Sequence, residues 1–242
     1  MQAKETILKK LRAALEHERK VNLHRFPIDL RFMGEDLVLA GEVENIAAKK
    51  IALEIAAASG GIQRIVDRLR VAPAERMGDA AIRDHVRHAL LQEPALSACS
   101  IRTRSGNQLK TAREVALEPA GEIVIEVKEG VVTLNGQVPS LSHKRLAGVL
   151  AWWVPGSREV INGLEEVPLQ QDNDDEVVDA VRLVLEKDPW VRAEQIRVRV
   201  RNYTVMLEGL VPDAKVKEMA EFDAWYVFGV DRVINHLVVE KA

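Results

Sequence analysis

The 242-residue chain contains a single cysteine, Cys99, which excludes an intrachain disulfide and fits a reducing compartment. It also lacks any apolar run approaching the roughly 20 residues of a membrane-spanning helix, so integral insertion is not expected. The stretch from Met1 to Leu15 alternates charged and apolar residues as an amphipathic helix does, without the continuous apolar segment or cleavage site of a secretory signal. As written, the chain is expected in the cytoplasm, and in the periplasm if a signal sequence has been removed. An excess of positive charge is missing too. The net charge is -3 with a pI near 6.1, so no global basic field draws the molecule to nucleic acid or anionic lipid, and any such attraction must be local. No Walker loop, Gly-x-Ser-x-Gly elbow, CxxC pair or dinucleotide Gly-x-Gly-x-x-Gly occurs, and the chain is expected to be neither an enzyme nor a cofactor binder.

What is present is self-similarity. Hydrophobic residues make up 47% and charged residues 29%, the balance of a globular protein. Asp36-Leu-Val-Leu-Ala-Gly41-Glu-Val43 matches Val131-Val-Thr-Leu-Asn-Gly136-Gln-Val138 and Thr204-Val-Met-Leu-Glu-Gly209-Leu-Val211, each carrying Leu-x-Gly-x-Val. Twenty residues after each of these glycines stands another: Gly61, Gly156 and Gly229. Beyond those lie Ile65, Asp67 and Leu69; Val160, Asn162 and Leu164; and Val233, Asn235 and Leu237, in the same register. A repeat of this kind decides the fold before any local pattern does.

Each copy predicts the same elements. Ile28, Leu30 and Phe32, Ile123, Ile125 and Val127, and Ile196, Val198 and Val200 alternate as a half-buried strand does. Short polar breaks at Gly34 to Asp36, Lys128 to Gly130 and Arg201 to Tyr203 turn each into a hairpin with the glycine-bearing strand. Between the paired glycines, Ala52 and Ala56, Ala147 and Ala151, and Ala220 and Ala224 lie four apart, putting small residues on one helix face that can approach a sheet closely. A last strand and a preceding amphipathic helix complete an αββαβ unit. The first glycines mark a bulge or close backbone approach, and the second set ends a helix in the left-handed conformation. The expected class is α+β: three tandem αββαβ modules, each a small three-stranded sheet with two helices on one face. They span residues 1–74 (divergent), 77–168 and 172–242. The second carries an insertion near 102–122, with turn signals and a short helix near Leu109 to Leu117.

The order of elements, the Leu-x-Gly-x-Val strand, the Ala-x-x-x-Ala helix and the Val-Ile-Asn that follows the second glycine in copies two and three resemble the BON domain of bacterial envelope and stress proteins. In copy one Ile65-Val-Asp replaces Val-Ile-Asn. The resemblance implies non-catalytic roles: association with phospholipid surfaces, osmotic or envelope stress tolerance, and protein assembly. A branch joined to a LysM domain is linked to potassium, and no LysM-like segment is present here. The chain departs from most members in showing no export signal.

Chemistry outside that resemblance is thin. His85 and His88 stand three apart on a predicted helix, a spacing that suits two metal ligands, with no further ligand set evident. No metal site is expected. Adjacent acids such as Glu165 and Glu166 are solvated turn charge.

The binding candidates are apolar and cationic. A turn of about 100° per residue carries Trp152 and Trp225, five positions beyond Ala147 and Ala220, to the side away from the core, flanked by Val149 and Phe222. Outward-facing aromatics suit a bilayer interface or a protein contact; the simpler alternative is that these helices pack on each other or on a neighbouring module. Arg197, Arg199 and Arg201 alternate with the core residues of their strand and form a cationic row on the sheet face away from the helices. Nucleic acid is disfavoured, because the Gly-x-x-Gly clamp of a KH domain is missing. Residues 1–76 carry 14 basic and 11 acidic side chains, 77–167 carry 10 and 11, and 168–242 carry 10 and 15. Nets of +3, -1 and -5 make head-to-tail attraction between first and third modules as plausible as anion binding. The expected partner is therefore a protein or an anionic membrane surface, with homo-oligomerisation open. The expected task is binding linked to osmotic or envelope stress, the alternatives being a self-assembling scaffold or a potassium sensor.

Overall fold

The computed structural model describes residues 2–116 and 121–240. Close packing of the backbone divides the chain into two units, Met1–Ala72 and Pro73–Ala242.

In the first unit α1 (Gln2–His17) precedes the hairpin β1 (Ile28–Met33) and β2 (Asp36–Val43), followed by α2 (Ile46–Ala58) and β3 (Arg64–Val71). β2 is central, antiparallel to β1 and parallel to β3. Alternation places Ile28, Leu30, Leu37, Leu39 and Leu69 inside, and Leu11 and Leu15 of α1 and Ala52 and Ala56 of α2 are fully buried with them. Asn45 caps α2 by accepting from the Ala48 amide at 2.9 Å.

The second unit repeats this plan twice. α3 (Asp79–Gln92) and α4 (Leu141–Trp152) accompany β6 (Gly121–Lys128), β7 (Val131–Val138) and β8 (Glu159–Glu166). α5 (Asp174–Lys187) and α6 (Ala214–Tyr226) accompany β9 (Ile196–Arg201), β10 (Thr204–Val211) and β11 (Arg232–Val239). The expected α+β class and the threefold αββαβ order are therefore present, with the second module's sheet enlarged. Two added strands, β4 (Cys99–Ser105), which begins just before the expected insertion, and β5 (Gln108–Arg113) within it, give five strands in the order β5-β4-β6-β7-β8 rather than three.

The helix expected near Leu109 to Leu117 is thus corrected to a strand as far as Arg113, and Leu117 lies outside the described residues. β5 buries almost nothing and shows no period of its own; it is extended because β4 supplies its backbone partners from Arg113 back to Gln108. Arg113 secures its end by donating to the carbonyl oxygens of Cys99, Leu91 and Leu96.

The glycine of each Leu-x-Gly-x-Val strand is a point of close backbone approach, as expected. A Cβ would fall 2.7 Å from Pro27 O at Gly41, 2.1 Å from Glu122 O at Gly136 and 2.0 Å from Gln195 O at Gly209. In the second set Gly61 and Gly229 are left-handed, but Gly156 is not; it is glycine because a Cβ would meet Met77 and Ile82 at 2.8 Å.

A second repeated device ties each leading helix to its hairpin. The Asp79 carboxylate accepts from the amides of Glu129 and Gly130, both at 2.9 Å. Asp174 accepts from Asn202 and Tyr203 at 2.8 and 2.9 Å. Both pairs have positive φ, the twist of a tight hairpin that aims two successive amides the same way. In the first unit Lys4 takes this place from the opposite sign, donating to Gly34 O at 2.8 Å and to Glu35.

Candidate functional site

Two surfaces gather the candidate residues: the junction where α4 meets α5 and α6, and the open sheet face of the third module.

At the junction the aromatic helix face follows the second of its two expected readings, packing on a neighbouring module, and not exposure to a bilayer or a partner. Val149 and Trp225 are fully buried, and Trp152 and Phe222 are half-buried. The rotation about each helix axis is as expected, but α4 packs against both α5 and α6, so the side turned from its own sheet is covered by the other module. Trp152 stacks on Tyr226 across the junction, with ring centroids 5.6 Å apart and 21° between planes. Trp153 donates its indole N–H to Asp223 Oδ1 at 3.0 Å.

Arg145, one and two turns before Val149 and Trp152 on the same stripe, has no exposure. It donates through Nε to Phe228 O at 2.9 Å and through Nη2 to both oxygens of Asp172 at 2.7 and 2.8 Å. Lys187, at the end of α5, pairs with the buried Glu93 at 2.8 Å, and Leu183 packs on the second module's core. Sequence reading missed Arg145. Its spacing from Val149 and Trp152 was the available signal, obscured because a charged side chain at that position looks solvent-facing.

Electrostatically the junction is unusual for its acids. Asp223 is 3% exposed, and its carboxyl is pushed up to about 8, first by burial and then by the neighbouring charge of Asp188. Its Oδ2 has no partner. Burial, helped by Asp223, also raises the Tyr226 hydroxyl to about 12.

The sheet face differs in every respect. Arg197, Arg199 and Arg201 are all exposed along β9, in a row about 13 Å long at the ordinary strand rise. By register they stand beside Glu208, Met206 and Thr204 of β10, and beyond these lie His236, Ile234 and Arg232 of β11. Arg199 pairs with Glu208 at 3.1 Å. At the far end of the face Leu210 and Val238, partners in register, are 51% and 57% exposed. β9 is also an edge strand, where arginines discourage pairing with another sheet.

His85 and His88 line a groove of about 410 Å³ with Asp84, Ala89, Leu150, Trp153, Val154 and Pro155. Among the described residues no group of three or more His, Cys, Asp or Glu could hold a metal ion. Cys99 is buried, and that burial pushes its thiol pKa up, away from nucleophilic use. No helix among the described residues is long and apolar enough to cross a membrane.

Comparison with known proteins places these observations. A family model described as "BON domain" matches residues 3–73, 99–168 and 173–241. Two solved structures of CdsD, a structural protein of the type III secretion system of Chlamydia trachomatis, are similar at low identity. One, the C-terminal domain, is 16% identical, covering 90% of this chain and 93% of its own, with a TM-score of 0.25. The other is 17% identical over 96% and 93%, with a TM-score of 0.26. Whole-chain superposition is poor in both cases.

Proposed function

The chain belongs to the BON domain family, in three copies, and from that premise we propose that it is a non-catalytic scaffold that assembles through the sheet face of its third module. The observation that carries this reading is the exposed row Arg197, Arg199 and Arg201 on a face that no helix of its module covers. The third module is polar in the electrical sense. Its sheet face is cationic, while α5 exposes Asp175, Asp179 and Glu186, and the module as a whole carries more acid than base. A cationic face on one copy and an acidic helix on another make a heterologous contact, which builds open chains rather than closed pairs. Burial of Val149 and Trp225 in the junction supports assembly over membrane insertion through those helices. The process we assign is osmotic or envelope stress, on the strength of the family resemblance.

A second reading is favoured by Leu210 and Val238, whose exposure beside the arginines also suits an anionic phospholipid surface.

Sedimentation velocity across a wide concentration range, at low and high salt, tests the proposal. Self-association that weakens with salt and disappears in the double variant Arg197→Glu, Arg201→Glu supports it; a monomer at every concentration overturns it. Co-sedimentation of the wild type, but not the variant, with anionic and not neutral vesicles would establish the lipid reading instead.

A further inference from the structure

The junction between the second and third modules contains a pair of acids that assembly through the sheet face does not use. Asp188 caps the C-terminus of α5 and is 8% exposed; Asp223 lies on α6 at 3%. The Asp188 carboxylate stands close enough for its charge to act on Asp223. Asp188 Oδ1 accepts from the Trp190 amide at 2.8 Å, and Asp223 Oδ1 accepts from Trp153 across the junction. That leaves Asp223 Oδ2 buried without a donor. A buried oxygen without a donor, beside a second carboxyl, is satisfied if it carries a proton and gives it to that neighbour; two adjacent buried carboxylates are not.

We infer that this junction is a proton-operated latch, in which Asp223, buried beside Asp188, carries a proton while the modules are docked and the junction loosens when that proton is lost to solvent.

The surrounding groups leave the acids without a counter-charge. On α5 the adjacent Lys187 is turned to Glu93. On α4 Arg145 is two turns from Trp153 and committed to Asp172 and Phe228 O. Trp153 itself brings a neutral donor, and on α6 Tyr226 stays neutral, its hydroxyl raised by burial. Glu221 of α6 accepts from Asn235. Asp84, His85 and His88 of α3 line the groove on which the Trp153 ring also opens. No cation among these replaces the proton on Asp223.

The sign follows from linkage. Asp223 holds its proton up to about pH 8 in the closed junction. Once open and hydrated it returns to the ordinary carboxylate range near 4. Proton binding therefore favours the closed form. Closure has its full advantage below the ordinary range, loses up to tenfold per pH unit from about 4 to about 8, and levels off above. Opening uncovers Val149, Trp152 and Trp225, so the latch would control access to the aromatic faces of α4 and α6.

The test is amide hydrogen exchange of residues 141–153 and 214–226 in the full chain, corrected for intrinsic rates, between about pH 6 and about pH 9.5, with carbon-13 titration of the aspartate carboxyls. Wild type should lose at least tenfold in protection over this range, and one carboxyl signal, absent in Asp223→Asn, should titrate near 8. Asp223→Asn should hold its protection constant. Should that variant fold poorly, Asp188→Asn supplies the reading: removing the neighbouring charge should move the Asp223 titration down and flatten the exchange profile. A double His85→Gln, His88→Gln variant should keep the wild-type response. An Asp223 carboxyl that titrates near 4, identical profiles in wild type and Asp223→Asn, or a response lost with the histidines would each overturn the latch.

Discussion

Arg145 Nη2 donates to both carboxylate oxygens of Asp172, at 2.7 and 2.8 Å, in a pair whose guanidinium has no exposure while the carboxylate keeps 31% of its own. The pair pins the segment between the second and third modules to α4. Gly229 lies against the same guanidinium, where a Cβ would fall 3.1 Å from Nη2.

Truncating Asp172 should therefore weaken the junction at least as much as truncating Arg145, because it leaves the buried guanidinium without its counter-charge, whereas Asp172 keeps access to water. Arg145→Ala leaves Phe228 O and Asp172 without their donor and should cost about 3 kcal/mol in urea denaturation; Asp172→Ala should cost at least as much, since Arg145 is buried and cannot reach water. Arg145→Lys should not restore stability, because an ammonium cannot serve the carbonyl and the carboxylate in the same fork. A change under about 0.5 kcal/mol for Arg145→Ala would show that the pair carries no docking energy.

The Asn of the repeated Val-Ile-Asn bridges strand to helix. Asn162 Nδ2 donates to Lys144 O at 2.7 Å and Asn235 Nδ2 to Lys217 O at 2.9 Å, while each side-chain oxygen accepts from the amide two residues on. Asp67 in the first copy cannot donate, and instead pairs with the buried Lys49 at 2.8 Å. Asn235→Asp should destabilise by about 1–3 kcal/mol, by setting a carboxylate against a carbonyl. Asp67→Asn should also destabilise, by leaving Lys49 buried without its counter-ion. Stabilisation by either change would refute this account.

At Gly209 both conformation and space forbid a side chain: φ is +145° and a Cβ would sit 2.0 Å from Gln195 O. Gly209→Ala should cost about 3 kcal/mol or prevent folding of the third module. Gly41→Ala, with 2.7 Å to Pro27 O, should be milder. Thermal denaturation of the two variants decides the order, and equal losses would argue against close approach as the cause.

Asp79 and Asp174 each hold two hairpin amides at the start of a helix. Asp174→Ala should lower stability by about 1–2 kcal/mol and speed amide exchange at Asn202 and Tyr203. Asp174→Asn should recover part of the loss, since one amide oxygen remains to accept. Unchanged exchange at those two amides would remove the clamp.

Much of the fold was legible in the chain because its determinants are local or repeated. The period of two in Ile196, Val198 and Val200, the spacing of Ala220 and Ala224, and the glycines twenty apart are each forced by backbone geometry. They recur three times, so the αββαβ order and the close approach at Gly41, Gly136 and Gly209 are legible in the sequence itself. β5 could not, because its extended state depends on β4 lying alongside; Leu109 to Arg113 carries no pattern of its own.

The candidate surfaces divide along the same line. The arginine row was readable because alternation along one strand fixes which face Arg197, Arg199 and Arg201 share. The angular position of Trp152 and Trp225 on their helices was equally fixed, but not what would cover them. Burial of a helix's outer face depends on how two modules dock, which follows from surface complementarity across residues far apart in sequence. The amino-acid order thus established three copies of one fold and, within the repeated elements, the face on which each side chain lies. Packing alone established that α4 turns its outer stripe onto α5 and α6, that Arg145 is buried against Asp172, and that Asp188 and Asp223 are both buried at the junction, where withdrawal from water raises the Asp223 carboxyl.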